Sequence, residues 1–145
     1  MKNISIWLLV LFLFVDVGCT DATLAKVSQA LNDTQLAVGG LQSIVIVANK
    51  QGTMNDADTQ KILSICAKVN SAGIQAVAIT RGVSKLAPAD RSNISNILTP
   101  VVTAVGDSLT SLGITDPKIS NDVRAALLAI QTGLTTAQLV LSGGK

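Results

Sequence analysis

Apolar positions along this chain recur at spacings of three and four in four separate segments, each closed by turn-forming residues. In the first segment, Leu24, Val27, Leu31, Thr34, Val38, Leu41, Val45 and Ala48 fall on one seam. That spacing predicts an amphipathic helix over about residues 22–50, with Asp21 as its cap. Gly39-Gly40 interrupts it, and each glycine costs about 1 kcal/mol relative to alanine in a helix interior. A kink or a close helix approach is therefore expected there. Ser43–Ala48, SIVIVA, is the one stretch β-branched enough to favour a strand, but no segment of the chain alternates cleanly with period two.

The turn KQGTMNDAD follows, with Gly52 suited to a left-handed helix end and Asn55 or Thr53 to the next cap. A second helix over about 55–80 places Ile62, Cys66, Val69, Gly73 and Ala76 on one stripe. The longest connection, RGVSKLAPAD, spans 81–90 and contains Gly82 and Pro88. A third helix over about 91–112 uses Ile94, Ile97, Val101, Val105 and Leu109, with Pro100 inside it removing a backbone donor and expected to bend it. In LGITDPKIS, Gly113 stops that helix, Asp116 or Thr115 caps the next, and Pro117 takes its first position, where a missing N–H costs nothing. The fourth helix, about 117–142, carries Ile119, Val123, Leu127, Ile130, Leu134, Ala137 and Leu141 before Gly143-Gly144. The turns GTMNDA and GITDP share a glycine, an apolar residue, a cap and an aspartate, which hints at two related hairpins. Two short links and one medium one between helices of this length predict an all-α, up-down-up-down four-helix bundle.

The bundle is preceded by a different pattern. After Lys2, the run Ile4–Val15 is apolar except for Ser5 and ends at Asp16. This is too short for a membrane-spanning helix, which needs about 20 apolar residues, and fits a signal-peptide core. Val17-Gly18-Cys19 resembles the end of a bacterial lipoprotein lipobox, a small residue before a cysteine that becomes the lipidated N-terminus. The departure is Asp16, where that pattern has Leu or another aliphatic. Residues 1–18 then form the signal peptide and 19–145 one helical domain. Ordinary signal cleavage after Cys19 or after Ala22 also fits the small residues present. The resemblance covers the first 19 residues and implies export with a membrane anchor at Cys19; the other cuts imply a soluble periplasmic or extracellular product.

Composition narrows the chemistry. Trp7, Phe12 and Phe14 are the only aromatics, so the chain beyond the signal has none, and it lacks His and Glu altogether. Its core must be Leu, Ile, Val and Ala. Charged residues make up 14%, against about 25% in a typical soluble domain. A net charge of +2 without a Lys/Arg run, and without rings for base stacking, argues against nucleic acid as a partner.

Without His, no Ser-His-Asp or Cys-His arrangement is available, and zinc lacks its usual ligands. Ser64 and Lys68 lie one helical turn apart, a spacing that reads better as a solvated face than as a nucleophile and base. Asp56 and Asp58 lack the register of a calcium loop and fit helix-dipole complementation. Cys66 lies on a core stripe, where a cysteine is a small hydrophobe. The sequons at Asn32 and Asn93 carry little weight, since Ile94 reads as core. No catalytic residue, cofactor or metal is expected.

The uncharged stretches Ser92–Gly106 and Ala125–Gly144 suit contact with another copy, another protein or an apolar surface. In an up-down bundle one end gathers Lys26, Arg81, Lys85, Arg91 and Lys145 against Asp21 and Asp90. The other gathers Lys50, Lys61, Lys118 and Arg124 against five aspartates. With Cys19 lipidated, the basic end faces the bilayer, and Arg81, Lys85, Arg91 and Lys145 form a membrane-proximal patch. The expected function is an exported, lipid-anchored, non-enzymatic bundle with a structural or protein-contact role in the cell envelope. The rival is a soluble secreted protein that binds apolar surfaces or lipids through neutral helix faces.

Overall fold

A computed structural model describes residues 21–143, so Cys19, the signal segment 1–18, Gly144 and Lys145 lie outside the described residues. The chain forms four helices: α1 (Ala22–Lys50), α2 (Asp56–Thr80), α3 (Pro88–Ser111) and α4 (Pro117–Leu141). Each packs against its sequence neighbour, α1 closes the ring on α4 through the most extensive contact, and the backbones of the diagonal pairs do not approach closely. This is the expected all-α, four-cornered bundle, and its core holds the seams.

Capping follows local chemistry. The Asp21 carboxylate accepts from the Thr23 N–H at 3.2 Å, Asn55 from Asp58 at 2.8 Å, and Asp116 from Ile119 at 2.9 Å. Gly52 (φ 72°), Gly82 (φ 79°) and Gly143 (φ 86°) hold the left-handed positions that end α1, α2 and α4. Gly113 does not share that conformation, so the two similar turns differ at the glycine they have in common.

All eight seam residues of α1 are buried. Within Ser43–Ala48, Val45 and Ala48 are buried while Ile46 and Val47 are exposed, a helical and not an alternating pattern. The α2 stripe is buried as spaced, and so is the α4 seam except for half-buried Ile119.

Three expectations need correction. First, α3 begins at Pro88 and not near 91. Pro88 occupies the first helical position, as Pro117 does, and the Ala87 N–H donates to the Asp90 carboxylate at 3.2 Å. Secondly, Leu98 and Ser108 are buried in α3, whereas Ile97 and Leu109 are only half-buried. The buried residues Ile94, Leu98, Val101, Val105 and Ser108 step by four and three along one seam, and Ile97 and Leu109 lie one position to its side. It continues through Pro100. Thirdly, no close approach occurs at Gly39 or Gly40, where a β-carbon would meet open space. The close approaches are at Gly133, whose β-carbon would collide with Thr34, and at Gly73, against the Gln35 side chain.

The core is aliphatic, with Thr34, Thr59 and Ser108 as its buried polar members. Each hydroxyl donates to the carbonyl four residues back, at 2.7 to 2.8 Å, so burial leaves no donor unsatisfied. Met54 and Leu86, both in connections, are also buried and extend the core into the two ends.

Candidate functional site

The basic end is organised by Asp21. Its backbone N–H donates to the Ser84 carbonyl at 3.2 Å, tying the start of α1 to the α2–α3 connection. Its Oδ2 is buried, makes no hydrogen bond, and faces the Arg91 guanidinium at 3.6 Å. The Arg91 Nε also donates to the Leu86 carbonyl at 3.3 Å. Arg91 is thus half-buried and held to the fold, while Arg81 and Lys85 are exposed on the connection. The structure brings these three to one end of the bundle; Lys145 and Cys19 lie outside the described residues.

The opposite end uses its polar groups to join helices. Lys61 Nζ donates to the Ser111 hydroxyl at 2.7 Å and to its carbonyl at 3.1 Å, linking α2 to the end of α3. The Asp56 carboxylate accepts from Asn49 at 2.8 Å, and Asp58 accepts from Asn55 at 2.8 Å. Both carboxylates therefore serve the α1–α2 turn. No cluster of three or more His, Cys, Asp or Glu suited to a metal occurs among the described residues.

Ser64 and Lys68 are both exposed. Lys68 borders an open groove between α2 and α3 that is lined also by Ser71, Gln75, Ile97 and Pro100. A second open surface on α4 is lined by Gln131, Thr132, Thr135, Thr136 and Leu139. Neither encloses a ligand. By length and composition α2 is apolar enough to cross a membrane, yet its Ile62–Ala76 stripe is packed into the bundle.

Cys66 is fully buried, and burial pushes its thiol from an ordinary 9.0 up to about 11, slightly opposed by a backbone hydrogen bond. The folded chain therefore holds a proton that the unfolded chain releases from about pH 9. Stability is expected to fall as pH rises from 9 to 11, by about 2–3 kcal/mol from this group. Urea melts of the wild type and Cys66→Ala at several pH values should converge toward high pH as that contribution disappears. A gap between them independent of pH would contradict it. Thiol reagents are expected to react with Cys66 only on unfolding.

Sequence reasoning missed a set of exposed aliphatics on three helices. Leu36, Ile46 and Val47 on α1, Ile74 and Val77 on α2, and Leu128 and Leu139 on α4 are exposed aliphatics. In α1, Leu36 and Val47 lie eleven residues apart on the side opposite the core seam, too sparse a pattern for periodicity to pick out. Compared with protein-family models, curated proteins and solved structures, the chain matches none.

Proposed function

We propose that the protein is an exported, lipid-anchored helical bundle that acts in the cell envelope through contact and not catalysis. The observation that carries this reading is the leader: an apolar run, then Val17-Gly18-Cys19, two residues before the cap of α1. A cut before Cys19 keeps Asp21, with its cap bond, its tie to Ser84 and its partner Arg91. A cut after Ala22 removes all three, and loss of a cap alone costs about 1 kcal/mol. The fold thus supports cleavage upstream of Asp21.

The anchored end is the one that carries Arg81 and Lys85. A single acyl chain holds only marginally, and each basic residue near an anionic surface contributes about 1 kcal/mol. In its native host, Cys19→Ser is expected to move the protein from the membrane to the soluble fraction. The displaced protein should bind anionic vesicles weakly and salt-sensitively, and less so with Arg81→Gln and Lys85→Gln. Unchanged membrane retention of Cys19→Ser would overturn the anchor; indifference to the Gln changes would overturn the patch.

The rival reading, a soluble secreted binder of apolar surfaces, draws on the exposure of Ile74, Leu128 and Leu139. It requires a cleaved product without lipid.

A further inference from the structure

We propose that the outer face of α1 is a self-docking surface, on which the α1 helix of a second copy lies antiparallel about a two-fold axis near Leu41–Gln42. This deepens the contact reading above by naming the partner, and it rests on α1 and not on the leader.

Asp33, Leu36, Gly40, Ser43, Val47 and Lys50 step along α1 by three, four, three, four and three, and all six are exposed. They form a seam on the side of α1 away from its buried residues, about 26 Å long at 1.5 Å per residue. Leu36 is 60% exposed and Val47 50%, with Ile46 beside them at 43%. Leu36 and Val47, three helical turns apart, are the apolar positions of this seam, and a second helix laid along it would cover both. The bundle leaves this seam without one.

Charge selects the occupant. Between Asp33 and Lys50 the chain carries no charge, and neither of these two side chains has an ion-pair or hydrogen-bond partner among the described residues. In the antiparallel two-fold arrangement, Asp33 of each copy lies level with Lys50 of the other. Leu36 then lies level with Val47, and Gly40 with Ser43. Both ends close on opposite charges and the middle on apolar or small residues. A parallel pair would instead set Asp33 against Asp33 and Lys50 against Lys50, which is unfavourable.

The same arrangement accounts for Gly39-Gly40. Nothing in the chain's own fold fills the space beside them, and two interior glycines weaken the helix. Backbone bare of side chains at the centre of the seam lets a second helix approach closely, with Ile46 of each copy near the level of Gly39 of the other. One helix face per copy is small for an interface, below the roughly 1,200 Å² of stable complexes, so a weak, reversible dimer is expected.

The test is thiol cross-linking of the full chain in its native host. Leu36→Cys is co-expressed with Val47→Cys, and a short thiol–thiol cross-linker is added. The expected result is a mixed dimer, with little product from Leu36→Cys alone, since its two copies lie about 16 Å apart along the helices. Adding Asp33→Lys or Lys50→Asp to both chains should reduce the mixed dimer several-fold, and adding both together should restore it. These residues are exposed, so helical circular dichroism should be unchanged in every variant. Absence of the mixed dimer overturns the proposal. So does equal cross-linking by Leu36→Cys alone, or failure of the double reversal to restore. Every chain in this test also carries Cys19→Ser, which removes that thiol, so no outcome depends on whether Cys19 carries lipid.

Discussion

Val69→Asp is expected to leave the chain largely unfolded, and Leu127→Ala to cost about 2–5 kcal/mol of stability. Both positions are fully buried. Val69 lies on the α2 stripe between Cys66 and Gly73, where a carboxylate would have no buried partner. Leu127 lies on the α4 seam, and truncation there leaves a cavity in a core built of aliphatic residues. For a domain whose net stability is about 5–15 kcal/mol, either loss is large. Lys68→Ala, one position before Val69 but exposed, should fall within about 0.5 kcal/mol of the wild type. Urea melts followed by far-ultraviolet circular dichroism measure all three. A Lys68→Ala variant that stayed folded yet lost function would return Ser64 and Lys68 to consideration as chemistry.

Gly133→Val should destabilise by about 1–3 kcal/mol or more, although valine favours a helix over glycine. The site is the close approach of α1 and α4, the most extensive contact in the bundle. A β-carbon there collides with Thr34 and comes within 3.3 Å of the Ala30 carbonyl. Thr34 cannot yield cheaply, because it is β-branched and its hydroxyl donates to that same carbonyl at 2.7 Å. Gly133→Ala should show the effect in reduced form. Thr34→Ala combined with Gly133→Ala should recover part of the loss, which a double-mutant cycle of denaturation midpoints reads directly. Additive losses would show that the two residues do not meet. Gly39→Ala is the control in the monomer: with open space beside it, alanine should stabilise the helix by about 1 kcal/mol.

The contrast between these glycines shows what the sequence could convey. Periodicity placed all eight buried residues of the α1 seam and kept SIVIVA helical, because burial in one helix depends on local spacing. Caps at Asp21, Asn55 and Asp116 were legible for the same reason: a cap bonds within three residues. Which glycine meets a neighbouring helix depends on how helices cross, so sequence reasoning singled out Gly39-Gly40 and passed over Gly133. Leu98 and Ser108 in α3 were missed because apolar Ile97 and Leu109 stand directly beside them, and spacing alone does not choose between adjacent positions. Met54 and Leu86 were missed because they lie in turns, where periodicity is silent. At the basic end, charge counting grouped Arg81, Lys85 and Arg91 but could not foresee that Arg91 is half-buried against Asp21.

We propose that lipid on Cys19 joins this bundle to a membrane, and the intact mass of the protein isolated from its native host is the test of that anchor. The expected product begins at Cys19 and is heavier than its polypeptide by covalently bound lipid, with the added mass on that cysteine and lost in Cys19→Ser. A product that begins at Thr20 or Thr23, or that begins at Cys19 or Met1 without added lipid, would contradict it.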